Sequence, residues 1–375
     1  MINNSQSKIK NCIVEYPNNA ISILQSSPVI EENEVRDFRY TGIWTYMQNS
    51  AIIKNNIIHN FRSDTYGTGI STYGGNPTIE CNTIYAGSGR GIISGDGGLI
   101  KNNHIYAILA PGSYGIGISV YAAANPRIEN NVIHHCSSGI NYGETIGTGP
   151  RPLIVNNTIY SNTTAISSSG YFGNPEITRT IIANNTNGIL QGPTWNLTPT
   201  EISHNLFWNN PAGDYAYIPI TGLGQIVNTN SNGDPVDSYF NIFKDPLFVT
   251  NIPPFYSSNS PCKNVGNSIY SPNIGCDPLL MCAAMILGVK ENKITAKGLA
   301  FPNPFSFMIT ITGLDKNKVS TTPFYDISGK HYAAALEWDT ESNATIKKDD
   351  LSSVIYFLEI SFSDASKQYI RLIKE

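Results

Sequence analysis

Five ionisable residues recur at one place in a repeated phrase: Glu31, Lys54, Glu80, Lys101 and Glu129 each stand two residues before an asparagine. A pair of carboxylates at suitable separation can hydrolyse a glycosidic bond, one protonating the leaving oxygen while the other activates water. Glu31, Glu80 and Glu129 are the candidates for that chemistry. A second group joins Arg62 and Asp64 in "NFRSDTYG" to Arg90 and Asp96 in "GSGRGIISGDGG", a set that could supply acid–base catalysis. Three places after the asparagines stand His59, Tyr85, Tyr106, His134, Tyr160 and Trp208, interrupted by Ala183. Tyr46, Tyr73, Tyr121 and Tyr142 form a second aromatic set. Such rings offer apolar faces edged with polar atoms, a surface suited to sugar rings. His59 and His134 have no neighbours at metal-ligand spacing, so no metal site is expected.

Whether these residues meet depends on the elements that carry them. Pro28, Pro77, Pro126 and Pro175 are spaced 49, 49 and 49 residues apart, each followed two residues later by isoleucine. Weaker copies such as "IIKNNII", "LIKNNHIY" and "PLIVNNTIY" fall between them, which halves the period. Alignment on Ile-x-x-Asn-x-Ile places Asn33, Asn56, Asn82, Asn103, Asn131, Asn157, Thr180 and Asn205 in one column, with Asn11 as a degenerate first member. Self-similarity at this period specifies a solenoid. A second motif, a small residue before isoleucine, recurs from Ala20-Ile21 to Gly188-Ile189. Val, Ile, Thr, Tyr and Phe abound, so the coils are built of strands. The pattern predicts an all-β parallel β-helix of about 22 to 26 residues per coil, each strand lying about 4.8 Å from its counterpart. Isoleucine then fills the interior, and asparagine forms an amide ladder at a corner whose left-handed conformation it tolerates.

Residues 1–278 resemble the right-handed parallel β-helix superfamily, which includes pectate lyases, polygalacturonases, alginate-modifying enzymes and noncatalytic bacterial surface proteins. The segment "KDPLFV" at 244–249 with "SSNSPCKNVGN" at 257–267 resembles the closing stretch of secreted β-helix repeat proteins, and is expected to cap the stack. After a linker at 279–290 the texture changes. "FPNPF" at 301–305, "YDISGK" at 325–330, "VIYFLEI" at 354–360 and the terminal "QYIRLIKE" resemble, in order and spacing, the type A sorting domain of type IX secretion. The match marks Pro302, Asn303, Pro304, Gly329 and Lys374; where the family usually reads Gly-x-Tyr, this chain has Val354-Ile355-Tyr356. The resemblance implies a small Ig-like β-sandwich at 291–375, engagement of the type IX machinery, and export across the outer membrane of a Bacteroidota-type cell.

Charge excludes some partners. The net charge is −4, with 13 basic and 17 acidic residues up to 278, so there is no basic excess to attract nucleic acid or an anionic membrane. The longest apolar run, Leu279 to Val289, is too short for the roughly 20 residues of a membrane helix. "MINNSQSKIKNC" has no apolar signal region, so the chain reads as a fragment or misassigned start of a longer exported protein. Of six cysteines, Cys12, Cys81 and Cys136 read as small interior residues, while Cys262 and Cys276 could close a loop by a disulfide.

Three functional readings remain on sequence grounds. An alternating Glu–Lys column is a structural ionic ladder as well as a carboxylate row, and an interposed lysine lowers the pKa that a general acid needs raised. The lyases of this superfamily imply clustered calcium-binding carboxylates beside a basic residue, and no such cluster is legible beyond Arg62, Asp64, Arg90 and Asp96; calcium enters only in the lyase case, and otherwise no cofactor is evident. The best-supported expectation is a secreted or surface protein that binds polysaccharide through His59, Tyr85, Tyr106, His134, Tyr160, Trp208, Tyr73 and Tyr121. The alternatives are a polysaccharide lyase or glycosidase, and an adhesive stalk.

Overall fold

Every described element is a strand, and the stacking follows from one corner repeated up the chain. The structure is a computed structural model; it describes residues 7–61, 67–95, 97–110, 114–121, 123–143, 149–168, 173–191, 201–218, 220–248, 256–257, 259–266, 273–276, 299–301, 308–312, 315–321, 324–326, 331–332, 336–341, 343–347, 355–363 and 367–373. Two compact units divide the chain: residues 1–247 with 259–285, and 248–258 with 286–375.

The first unit is a solenoid of three parallel sheets. The first holds nine strands, from Lys8–Lys10 to Glu201–Ser203; the third also holds nine, from Asn19–Leu24 to Tyr215–Ala216. The second runs from Ile13–Glu15 to Leu206–Trp208, then adds Ile242–Phe243 and the antiparallel pair Ile226–Thr229 and Pro235–Asp237. Most first- and second-sheet strands have three residues, so the central one points inward and its two neighbours outward. Central Ile30, Ile53, Ile79, Ile100 and Ile128 stack in the first sheet, and Ile58, Ile84, Ile105, Ile133 and Ile159 in the second, all buried in one core. In the third sheet the small-Ile motif has a steric cause. A Cβ on Gly91 would come 2.6 Å from the Gly117 carbonyl oxygen, because the next coil crosses directly over that position.

The first-to-second corner corrects one detail of the sequence reading. The left-handed residue is not the ladder asparagine but the residue before it: Glu32, Asn55, Cys81, Asn102, Asn130, Asn156, Arg179 and His204 all have φ between 51° and 59°. In the first coil Asn11 is therefore the corner residue, and Cys12 occupies the ladder place, donating its N–H to Asn33 Oδ1. Above it Asn33, Asn56, Asn82, Asn103, Asn131 and Asn157 form the expected column. Each side-chain oxygen accepts from the backbone N–H of the coil below and, from Asn56 to Asn157, also from the amide of the asparagine below; each amide also donates to an inner-strand carbonyl, as Asn56 Nδ2 does to Ile30 O at 2.9 Å. Thr180 interrupts, and Asn205 with Asn241 resumes the column.

The next corner carries a second column that the sequence pattern missed. Phe38 and Phe61 stack at 5.2 Å in the lower coils, and Asn162, Asn185 and Asn210 form a further amide ladder in the upper ones. The two ladders end alike. Asn241 Nδ2 donates to an Asp237 side-chain oxygen and Asn210 Nδ2 to Asp214 Oδ1, so an aspartate oxygen accepts the last amide of each row.

The cysteines depart from expectation. Cys262 and Cys276 are both free and buried, and Cys81, read as a small interior residue, is disulfide-bonded. Residues past the expected closing stretch turn back on the solenoid. The upper end is covered by the 226–243 strands, whereas Gly275 and Cys276 lie back along the side of the solenoid: Gly275 N donates to Arg179 O, Cys276 N to Thr158 Oγ1, and Cys276 Sγ to Asn130 O.

The second unit contains two antiparallel sheets. One pairs Leu299–Phe301, Met308–Thr312, Asn343–Lys347 and Glu337–Trp338; the other gathers Val319–Thr321, Phe324–Asp326, His331–Tyr332, Ile355–Phe362 and Lys367–Ile373. Ile309, Ile311 and Ile346 from the first sheet and Tyr356, Leu358, Ile360 and Leu372 from the second share one apolar core, the packing of a sandwich. Pro302, Asn303, Pro304, Gly329 and Lys374 lie outside the described residues.

Candidate functional site

The aromatic row is real, but its rings face one another. On the second sheet Arg36, His59, Tyr85, Tyr106, His134, Tyr160, Ala183 and Trp208 are register partners, one per coil. His59 and Tyr85 stack at 4.8 Å with planes 1° apart, Tyr85 and Tyr106 at 5.0 Å and 3°, Tyr106 and His134 at 5.1 Å and 5°, and His134 and Tyr160 at 4.7 Å and 24°. Since successive rings are separated along the solenoid axis, near-parallel planes at this spacing turn each face toward the next coil. Ring edges, hydroxyls and imidazole nitrogens are what remain for solvent. Tyr160 is itself buried, and Ala183 leaves Trp208, 38% exposed, apart from the stack.

Burial governs the titration of this row. It raises the Tyr85 hydroxyl, pushes that of Tyr106 up to about 12, and raises that of Tyr160. His104, an outward neighbour on the same sheet, sits with Nε2 2.8 Å from His134 Nε2, and His134 Nδ1 is 2.6 Å from His135 Nδ1. Desolvation lowers His104 to about 4; desolvation, aided by repulsion from His104 and His135, lowers His134 to about 2. Both imidazoles are therefore neutral at physiological pH. At the lower end the row meets charge, with His59 Nε2 3.3 Å from Glu34 and Arg36 bridging Glu15 and Glu34.

The second aromatic set lies on the third sheet and splits in two. Tyr46 and Tyr73 are register partners on outward positions, alternating with the buried inward Thr45 and Thr72. Tyr142 is no part of this surface: it aligns with Val120 on an inward position, is fully buried, and its hydroxyl accepts from Gln191 Nε2 at 3.2 Å. Between Tyr73 and Tyr121 the stack has Gly95, where a Cβ would come 2.3 Å from Tyr73 Cδ1. The Tyr73 ring thus lies across the glycine, and Tyr121 meets it edge-on at 6.3 Å and 83°. Trp44 stacks on Tyr46 at 5.6 Å, and Tyr46 is 38% exposed. Beside these rings one outward column reads Ser71, Ile93, Ser119, Asn141 and Ser167, with Ser138 Oγ 2.8 Å from Ser167 Oγ and Asn141 Nδ2 donating to Ser167 Oγ at 2.8 Å. Sequence reasoning found the tyrosines but not this column, because serines in a serine-rich chain carry no signal until their register is known.

The charged candidates resolve differently. Glu31, Lys54, Glu80, Lys101 and Glu129 are register partners as expected, with Lys54 3.4 Å from Glu31 and Lys101 3.3 Å from Glu80, while Arg127 pairs with Glu129. Hydrogen bonds from Lys8, Lys10 and Lys54 hold Glu31 down to about 2, an ionised carboxylate with no proton to give at neutral pH. Arg90 is an outward residue of the third sheet, aligned with Thr68 and Ile116. Arg62, Asp64 and Asp96 lie outside the described residues. Among the described residues no group of three His, Cys, Asp or Glu side chains is arranged to hold a metal ion.

Comparison with known proteins accords with both units. A family model described as "Right handed beta helix region" matches residues 1–142 and 78–218, and one described as "Secretion system C-terminal sorting domain" matches residues 299–375. No curated protein matches the chain. A solved structure, "The complex structure of XylC with xylose", is similar over 92% of this chain at 13% identity and a TM-score of 0.35; the chain covers 66% of that protein, just under two thirds.

Proposed function

Because the chain belongs to the right-handed β-helix family and ends in a secretion-system sorting domain that makes it a secreted or cell-surface protein, we propose that it binds polysaccharide outside the cell, on the outer face of the third sheet. The observation that carries this reading is the Tyr73 ring laid across Gly95, beside Tyr46, Trp44 and the column that includes Ser71 and Ser167. A ring flat on a sheet offers a face for the apolar side of a sugar, and adjacent serines and asparagine both donate and accept hydrogen bonds. The second-sheet row supports a different role: rings stacked on rings tie neighbouring coils together, as cross-strand aromatic pairs do. Its edges add polar atoms but few faces. The ionised Glu31 and the paired Glu80 and Glu129 favour binding over hydrolysis.

Affinity electrophoresis in gels cast with different polysaccharides tests the assignment. Tyr46→Ala with Tyr73→Ala should abolish retardation while the protein stays folded. Gly95→Ala should weaken it by displacing the Tyr73 ring. Tyr85→Ala with Tyr106→Ala should lower the melting temperature yet leave retardation intact. Retardation that survives the first pair, or depends on the second, overturns the placement.

A further inference from the structure

We propose that Asn232 is a self-modifying site: the Gly233 nitrogen closes on its side-chain carbonyl, water opens the ring, and the resulting aspartate or isoaspartate lets go of the closing stretch. The chain has two Asn-Gly pairs, Asn187-Gly188 and Asn232-Gly233, and the fold treats them oppositely. Asn187-Gly188 begins the strand Asn187–Leu190 of the third sheet, where Asn187 N donates to Thr163 O and Gly188 N to Gly213 O, both at 2.9 Å. A Cβ on Gly188 would come 2.1 Å from Asp214 O, so the backbone there has no room to rotate. Asn232-Gly233 stands instead at the tip of the hairpin that joins Ile226–Thr229 to Pro235–Asp237. Both residues are exposed, Gly233 has a φ of +79°, and nothing lies within 4 Å of where its Cβ would be.

The chemistry balances with water as its co-reactant. The Gly233 nitrogen gives up its proton and attacks Asn232 Cγ; the new C–N bond closes a cyclic imide as the Cγ–Nδ2 bond breaks, and Nδ2 leaves as ammonia with that proton. Water then adds to either imide carbonyl, giving aspartate by one opening and isoaspartate, with an extra carbon in the main chain, by the other. Glycine permits the approach because no side chain shields its nitrogen and its backbone adopts the conformations the ring requires. Two hydrogen bonds hold the starting state, Gly233 N on Asn230 O at 3.0 Å and Asn232 Nδ2 on Lys263 O at 2.8 Å. Both belong to an exposed turn, which opens far more readily than a strand inside a sheet. The second bond gives the reaction its consequence. Lys263 lies in the closing stretch, where Cys262 O accepts from Ile274 N and Asn264 N donates to Asn273 Oδ1, immediately before the fold-back at Gly275 and Cys276. Conversion replaces the Asn232 donor by a carboxylate, which accepts only and so cannot bond the Lys263 carbonyl. It also adds negative charge to a cap in which Asp234 and Asp245 already act on Cys262.

The test ages the full, freshly purified chain at pH 8 and maps converted residues by peptide mass spectrometry with fragmentation. Asn232 should gain the mass of an amide-to-acid exchange, divided between aspartate and isoaspartate, at least about tenfold faster than Asn187, because the sheet must open before Gly188 N is free. Hydrogen exchange then reports the release. The Asn264 and Ile274 amides should exchange at least about fivefold faster in the aged protein and in Asn232→Asp than in the fresh parent, while amides of the central strands, such as Ile105, stay unchanged. Equal conversion of both pairs in the folded protein, or conversion of neither, overturns the site. Conversion at Asn232 that leaves exchange at Asn264 and Ile274 as it was overturns the release.

Discussion

His104 Nε2 lies 2.8 Å from His134 Nε2 one coil away; the His134 ring is stacked on Tyr106, and the His104 ring lies beside Tyr106 tilted by 34°. Two imidazoles at that distance can share one proton but cannot both be cationic, and the groups that surround them, Tyr85, Tyr106, Tyr160 and His135, offer no carboxylate. With folded values of about 4 and about 2 against an ordinary 6.5, the unfolded chain takes up protons first as pH falls. Their stabilisation is fully present above about pH 6.5 and is lost as pH falls toward 4. For His104 alone the lost amount is about 3 kcal/mol. Thermal melts between pH 7 and pH 4 should show a falling midpoint, and His104→Phe should flatten that slope. A midpoint independent of pH in this window contradicts the buried, neutral pair.

The amide ladder makes a sharper demand on residue type. Asn103 Oδ1 accepts from Asn82 N and Nδ2, and Asn103 Nδ2 donates to Ile79 O, Lys101 O and Asn131 Oδ1. Asn103→Ala orphans several buried groups at once and should cost at least about 3 kcal/mol. Asn103→Asp should cost more, since it faces three acceptors with a fourth. At the ladder's end the sign reverses. Asp237 accepts from Gly224 N, Tyr239 N, Asn241 N and Asn241 Nδ2, so Asp237→Asn turns an amide NH2 onto donors and should destabilise by about 1–3 kcal/mol. Urea unfolding of the three variants checks the order, and an Asp237→Asn protein as stable as the parent would refute it.

How much of this was legible beforehand depended on whether a residue's role was local or set by register. The Ile-x-x-Asn-x-Ile phrase specified the coil because both its residues act through their counterparts directly above, and repetition is what a sequence shows best. The Glu31–Lys54 pairing followed from the same phrase. Tyr142 was misplaced because it stands two residues after its isoleucine, an inward position shared with Thr45, Thr72 and Val120, whereas Tyr46, Tyr73 and Tyr121 stand three after theirs. The aromatic row was placed correctly, but ring orientation is a torsional property that spacing does not encode. Ser119 and the fold-back of Cys276 onto Thr158, 118 residues away, left no trace in composition or period.

Thiol chemistry separates the cysteines. Cys12 is exposed at the first ladder place, whereas Cys136, Cys262 and Cys276 are buried, and burial pushes the Cys136 and Cys262 thiols up to about 12. Only thiolate reacts, so at pH 8 an aromatic disulfide reagent should modify Cys12 rapidly and those three only on unfolding. Peptide mapping of the labelled native protein identifies the modified positions. Rapid native labelling of Cys262 would contradict its burial.

The fold-back rests on Gly275, whose φ of +85° is costly for any residue with a side chain. A Cβ there would also come 2.4 Å from Ile181 Cδ1 and 3.0 Å from Thr158 Oγ1, both on the second sheet. Gly275→Val therefore cannot keep Gly275 N on Arg179 O together with Cys276 N on Thr158 Oγ1. The core of the solenoid makes neither contact, since Ile159 and Ile182 point inward beneath them. The variant should keep the far-ultraviolet signature and cooperative unfolding of the parent. Cys276 should become reactive without denaturant, and amide exchange should rise at Cys276. If Cys276 in Gly275→Val stays as unreactive as in the parent, the segment is held by something other than these two hydrogen bonds and the tight seat of the glycine.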